Sequence, residues 1–416
     1  GQELNKSEKE VSAEDWKWSF EYLAASENKS PYAGLLKKVE GYSTYRQNKK
    51  EEISGINILD KYTLKIKLKE PYAPFIYNLT ELPLAVIPKE AVKNNNLNFS
   101  LNPLGTGAFS LENFNKNKIV LKKNKNYWKS NVQNKNLPYL DKVEFSFSGQ
   151  LNNIKSFDIL KLSTRNYLNY KNKKEKYSGY QHKKIAQNNI YYIAFNTKNN
   201  EESTDLFKQQ IKEEELIKEL NLSDYIPVAD LENNYYALKE ISSANKENKT
   251  FDNDNFKNKT FSIATNNFKT AKKISGFLKD KMVEHNIDLK VNNQNWSKHL
   301  KRLQTDNANF DLFLMNYDYK NKFKFLSDNF HSDSLFNYSN YENERVDSLI
   351  DYIKLESRNE KRKHAYQVIE DILIETSPHI LLLQGIDNYL INNELENSEI
   401  LDNIYLKDKL ELLYFK

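Results

Sequence analysis

The chain has 416 residues, 62 of them basic and 57 acidic, for a net charge of +5, and no cysteine. That length suits two or three domains, the interspersed charge lacks the clustered basic excess of a nucleic-acid or membrane-surface protein, and disulfides and cysteine metal sites are excluded. A mean hydropathy of −0.80 would point to disorder, but 27 Tyr and 22 Phe can bury large areas and disordered chains are poor in aromatics.

In chain order, residues 12–25 read as an amphipathic helix. Ser12 is placed as N-cap with Asp15 at capping-box spacing, and Trp16, Phe20 and Leu23 share one face. Tyr62 to Leu68 alternates as a strand with Leu64, Ile66 and Leu68 on one side. Pro71, Pro74, Pro83 and Pro88 then cut the chain into short extended pieces, and Asn102-Pro103-Leu104-Gly105-Thr106-Gly107 is a turn-rich connector. Strands are expected at Ile119–Lys123, Val143–Phe147 and Tyr191–Phe195.

Beyond that point helical periodicity increases. Val346, Leu349, Ile350 and Ile353 form one apolar stripe, and Tyr366, Ile369 and Leu373 another. Short strands recur at Phe261–Ala264, Asp311–Met315 and Ile380–Leu383, and Glu240–Lys259 reads as a polar surface loop. Helices mixed with short apolar strands indicate an α/β or α+β architecture. No run of 18 apolar residues occurs, and Gly1-Gln2-Glu3-Leu4 is not the start of a signal peptide, so a targeting segment is expected to have been removed or to lie upstream.

The search for catalytic chemistry is negative. There is no G-x-S-x-G elbow, and His182, His285, His299, His331, His364 and His379 form no H-x-x-x-H or H-E-x-x-H pair. Gly105-Thr106-Gly107 lacks the third glycine and the lysine of a phosphate loop, and Glu213-Glu214-Glu215 reads as a solvated helical face. No enzyme, cofactor or metal is therefore expected. What stands out is aromatic residues beside turns, among them Trp16, Trp18, Tyr32, Trp128, Trp296, Tyr317 and Tyr319. Such residues serve as core anchors or as walls of an apolar cleft.

The order of local motifs resembles the oligopeptide- and dipeptide-binding proteins of bacterial ABC importers, family 5 of the extracellular solute-binding proteins. Val11-Ser12-Ala13-Glu14-Asp15-Trp16-Lys17-Trp18-Ser19-Phe20 is similar to that family's T-A-E-D-V-x-x-S-F helix start, and Ser30-Pro31-Tyr32-Ala33 follows. Leu59-Asp60-Lys61-Tyr62-Thr63-Leu64, Leu68 to Phe75, Ile87 to Val92, Asn102 to Phe109 and Lys123 to Trp128 continue the series. So do Tyr191 to Asn196, Asn293-Gln294-Asn295-Trp296, Val346 to Ile350 and Leu401 to Tyr405.

The resemblance implies an α/β, two-lobed, periplasmic-binding-protein-like fold of the type II peptide-binding class, with a hinge and with peptide held in the cleft between the lobes. It places a first-lobe subdomain at 1–100, the rest of the first lobe at 101–190 and 385–416, and the second lobe at 191–384. It implies an extracytoplasmic receptor, periplasmic or at the cell surface and tethered by a lipid, that passes its peptide to a membrane permease. Nucleic acid is not a partner. Tyr32 and Trp296 match ligand-contacting positions of the family.

Three features depart from the pattern. The family has a long first-lobe segment before the helix that here begins at residue 12, so a partner chain supplies it, the chain is a fragment, or it is a reduced paralogue. Phe207-Lys208-Gln209-Gln210 stands where the family has V-R-Q-A. The family's G-W-x-A-D-Y segment, whose Asp binds the peptide ammonium, reads Met315-Asn316-Tyr317-Asp318-Tyr319-Lys320. Matching by type selects Asp318, and ungapped counting puts Tyr317 at the Trp position and Lys320 at the Asp position. The expected ligand-binding residues are thus Tyr32, Trp296, Tyr317 and Asp318. The alternative function is that of a degenerate, non-transporting interaction subunit.

Overall fold

A computed structural model describes residues 10–93, 103–129, 136–147, 157–198, 206–207, 210–222, 224–228, 256, 258–305, 309–319, 321–376, 378–398 and 410–415. Asn102, Lys320, most of the expected loop at 240–259 and the motif Leu401–Tyr405 lie outside them. The chain divides into two compact units, Gly1–Gln150 with Lys354–Ser357 and Lys409–Lys416, and Leu151–Ile353 with Arg358–Asp408.

In the first unit, helix α1 (Ala13–Ala24) starts as expected, with the Asp15 carboxylate accepting from Ser12 N at 2.9 Å and Ser12 Oγ at 2.8 Å. The helix packs on a two-stranded antiparallel ribbon, β1 (Ile56–Asp60) and β2 (Thr63–Ile66). Phe20 and Ala24 from the helix meet Leu36, Val39, Tyr42, Ile53, Ile56, Phe75 and Leu84 in one core. Three further strands, β3 (Phe109–Phe114), β4 (Lys118–Lys123) and β5 (Lys142–Ser146), form an antiparallel meander. Two of these are the strands expected near 119–123 and 143–147.

Gly55 joins three backbone segments of this unit. Its N–H donates to Glu40 O at 2.9 Å, its carbonyl accepts from Lys67 N at 2.7 Å, and Glu40 N donates to Lys67 O at 3.0 Å. A Cβ there would stand 2.7 Å from the carbonyl oxygens of Glu40 and Lys67 and 2.9 Å from Glu40 N. These are backbone atoms already held by one another, so they cannot swing aside as a side chain would. Gly55→Ala should destabilise the first unit by about 3 kcal/mol, through overpacking and weakened hydrogen bonds. Amide hydrogen exchange of Glu40, Gly55 and Lys67 reads it, and unchanged protection refutes it.

The second unit is built on a seven-stranded mixed sheet in the order β10-β9-β11-β7-β12-β6, with β8 also on β12. Its strands are β6 (Ile159–Leu162), β7 (Tyr180–Phe195), β8 (Tyr225–Pro227), β9 (Thr260–Asn266), β10 (Asp288–Gln294), β11 (Leu312–Asp318) and β12 (His379–Asn392). β9 runs parallel to β10 and β11, and the remaining pairs are antiparallel. The apolar run Tyr191–Phe195 is sandwiched. Tyr191, Ile193 and Phe195 enter one core, and Ile190, Tyr192 and Ala194 the other. A strand covered on both faces needs no polar alternation.

Helices cover both faces. α2 (Thr164–Asn172) packs on β6, and α3 (Glu213–Glu219) and α4 (Lys269–Glu284) line the core that holds Tyr191. In α4, Ala271, Ile274, Leu278 and Met282 form its buried stripe. The opposite core is closed by α5 (Trp296–Leu303), α6 (Lys322–Phe330), α7 (Glu344–Leu355) and α8 (Asn359–Thr376). The expected boundary between residues 190 and 191 falls inside β7. There the pairing jumps from Gln384↔Ile190 to Ile386↔Ala186, so Gln187, Asn188 and Asn189 bulge opposite Gly385.

Candidate functional site

The parallel strands β9, β10 and β11 all end at one edge of the sheet, at Asn266, Gln294 and Asp318. From β9 the chain passes into α4, whose apolar stripe joins the core on one face. From β10 it passes into α5, which packs into the core on the other. Two adjacent parallel strands whose exits diverge to opposite faces leave a crevice beyond their carboxyl ends, the usual ligand position in open α/β sheets.

Two aromatic rings stand at that crevice. Phe268, the N-cap of α4, and Trp296, the first residue of α5, stack with centroids 5.8 Å apart and planes 16° apart. Phe268 is 49% exposed and Trp296 is half-buried, so the pair offers an apolar surface. The start of α5 is fixed by Asn295, whose side chain accepts from Lys298 N at 3.0 Å. Asn266 fixes the start of α4 in a similar way, with Oδ1 accepting from Phe268 N at 3.0 Å.

Beneath Trp296, three residues on along α5, lies His299, its ring centroid 6.0 Å from the indole and its side chain 1% exposed. It bonds to the backbone of Leu314 in β11. Burial pulls its proton affinity down to about 4, against which that backbone bond acts only partly. The imidazole is therefore neutral at pH 7.

Of the residues expected from the sequence, Trp296 stands at the crevice and shares a core with Tyr317. Tyr317 lies edge-on to Phe325 at 5.4 Å, and its hydroxyl donates to Asp328 Oδ2 at 2.8 Å. Lys324 Nζ approaches the same oxygen at 2.7 Å. Burial, followed by the Asp328 charge, holds the phenol proton far above its ordinary range. Tyr317 thus presents its ring, its hydroxyl being already committed. Asp318 is exposed and pairs across the ladder with Asn189. Strand alternation sends it to the face opposite Tyr317. Tyr32 belongs to the first unit, 53% exposed at the head of a 3₁₀ turn.

Phe268, Asn266 and His299 escape the sequence reading. The usable signal is the run Thr265-Asn266-Asn267-Phe268, where an apolar strand ends in amides and an aromatic opens the next helix. Among the described residues, no group of His, Cys, Asp and Glu could hold a metal ion, and no helix is long and apolar enough to cross a membrane.

Comparison with known proteins adds a family match. The model of the bacterial extracellular solute-binding proteins, family 5 Middle, matches residues 7–336. The glutathione-binding protein GsiB of Salmonella paratyphi A is 32% identical over 99 residues, 24% of this chain and 18% of that relative. The periplasmic oligopeptide-binding protein OppA of Salmonella typhimurium is 32% identical over 125 residues, 28% of this chain and 23% of that one. The aligned stretches thus span less than a quarter of these relatives' length. Among solved structures, the unliganded open form of the periplasmic murein tripeptide-binding protein MppA superposes with a TM-score of 0.77 at 20% identity. That match covers 99% of this chain and 84% of that one. A putative peptide-binding protein AppA from Clostridium difficile gives 0.74 at 17% identity, over 99% and 86%.

Proposed function

Because the chain belongs to the family 5 bacterial extracellular solute-binding proteins, we propose that it is a receptor that binds oligopeptides outside the cytoplasm and delivers them to a membrane permease. Its fold is the mixed α/β, two-lobed, periplasmic-binding-protein-like class expected from the sequence. The family is one of solute-binding receptors, related to the peptide-binding proteins of ABC importers.

The observation that supports a peptide ligand is the crevice of the second unit. An aromatic pair, the 49% exposed Phe268 and the half-buried Trp296, is set at the carboxyl ends of diverging parallel strands, with the Asn266 amide oxygen holding Phe268 N. Peptides in extended form are recognised mainly through their backbone, with side chains in roomy pockets, and stacked rings suit the apolar parts of such chains. In this reading Trp296 and the Tyr317 ring contact the side chains of the ligand, Asp318 its ammonium by charge-assisted bonding, and Tyr32 a further part of the peptide.

Ligand that binds only the native state stabilises it, by about 2.7 kcal/mol at a concentration one hundred times Kd. A mixed pool of tri- to hexapeptides should therefore raise the melting temperature by several degrees, and Trp296→Ala should lower the affinity tenfold or more. Flat melting curves with every pool, together with a stable protein partner recovered in pull-down, would instead favour a non-transporting interaction subunit.

A further inference from the structure

Two buried polar atoms beside the aromatic pair have no partner among the described residues, Asn266 Nδ2 and His299 Nε2. Both residues are almost wholly enclosed, at 0% and 1% exposure. They are connected by contacts at every step. Asn266 Oδ1 holds Phe268 N at 3.0 Å, Phe268 stacks on Trp296, and Trp296 lies against His299. They also share a face. Ala264, two residues before Asn266 on β9, enters the core that α5 covers with Trp296, Leu300 and Leu303.

The chemistry of the two atoms is fixed by their neighbours. Asn266 Oδ1 accepts from a backbone N–H, which makes the remaining side-chain atom an NH₂ donor. His299 Nε2 has no partner while the ring bonds to the Leu314 backbone, which assigns that bond to Nδ1 by elimination. A neutral ring donating from Nδ1 leaves Nε2 as a bare acceptor. The rim of the aromatic platform therefore carries one buried donor and one buried acceptor, each expensive to leave unmade.

We propose that Phe268, Trp296, Asn266 and His299 form one side-chain subsite that selects a neutral group able both to accept and to donate a hydrogen bond, a primary amide or a hydroxyl. The alternatives fail on one count or both. A carboxylate accepts from Asn266 but has no proton for His299 Nε2, an ammonium donates but cannot accept, and an alkyl group does neither. An amide or hydroxyl satisfies both atoms while its carbons lie on the indole. Phe268, the more exposed ring, is the side chain that must swing to admit it. The subsite rests on the peptide-binding reading and specifies which peptides are preferred.

The test is calorimetric titration with alanine-background tetrapeptides carrying one guest residue, Gln, Ser, Leu, Glu or Lys, at each position in turn. At one position the wild-type protein should bind the Gln or Ser guest about tenfold more tightly than the other three, the discrimination expected from one satisfied pair. His299→Phe, which keeps a flat ring without the acceptor, and Asn266→Asp, which keeps the Phe268 bond without the donor, should each narrow that preference to within about twofold. His299→Gln, whose Oε1 restores an acceptor, should recover part of it, and circular dichroism checks that each variant is folded. Binding of all guests with equal affinity by the wild type, or a preference surviving both substitutions, overturns the subsite alone. Binding of none of the peptides by the wild type overturns the receptor reading as well.

Discussion

Lowering the pH from 7 to 5 should cost the second unit about 4 kcal/mol of stability, shared by two buried histidines. His379 is 3% exposed, stacked on Tyr192 with centroids 4.8 Å apart and planes 13° apart, and 4.5 Å from the Phe330 ring. Burial pulls its proton affinity down to about 3, as it pulls His299 to about 4. In the unfolded chain both titrate near 6.5. As the pH falls below that value the unfolded state takes up protons that the native rings refuse, so native stability falls with it.

At pH 5 each ring is still neutral in the native state. The loss is then set by the unfolded chain alone, about 2 kcal/mol for each ring. Further loss accrues until the pH passes the native values near 4 and 3, below which both states are protonated and the dependence vanishes. His182, also pulled down by burial, adds in the same direction. Trp296 is the sole tryptophan of the second unit, the other three being Trp16, Trp18 and Trp128. With those three changed to Phe, urea melts followed by indole fluorescence report on that unit alone. The midpoint should fall sharply between pH 7 and pH 5, and His379→Phe should remove about half of the change. Coincident melts at the two pH values would refute the prediction.

Those two histidines also mark where sequence reading runs out. Six scattered His residues, none at metal spacing, read alike until the fold places His299 under Trp296 and His379 against Tyr192. The strand Tyr191–Phe195 is legible because both its faces are covered and the sequence is uninterruptedly apolar. The preceding half of the same strand is not. Lys183, Lys184, Gln187, Asn188 and Asn189 carry no apolar alternation, and β12 supplies the pairing from two hundred residues away. β10 hides likewise, since its last three residues, Asn292, Asn293 and Gln294, lie at the exposed edge of the sheet.

The candidate site divides in the same way. Trp296 is visible through its motif. Its stacking partner Phe268 is not, because the two are brought together by parallel pairing of β9 with β10, which no local pattern encodes. Tyr317 and Asp318, neighbours in sequence, can look equivalent as ligand residues. A strand of period two turns them to opposite faces, and Asp328 already occupies the Tyr317 hydroxyl.

Replacing Lys322 with Met should destabilise the second unit by about 3–5 kcal/mol, whereas changing Lys322 and Glu370 together should cost far less. Glu370 sits on the inward face of α8, 2% exposed beside Ile369 and Leu373, and its carboxylate forms an ion pair with Lys322 Nζ at the start of α6. The Lys322 ammonium also lies over the Tyr366 ring, 4.8 Å from its centroid. Removing the lysine takes a cation away from a buried carboxylate, and the part of the desolvation cost that it offsets returns. Removing both charges, as in Lys322→Met with Glu370→Leu, abolishes that cost and adds apolar contact between the two helices. The pair should therefore be strongly non-additive, with the double variant more stable than the Lys322→Met single variant by several kcal/mol. Urea melts of the wild type, both single variants and the double variant close the cycle. Additive losses would mean that Lys322 and Glu370 stabilise the unit independently, and that the carboxylate relies on other neighbours for its compensation.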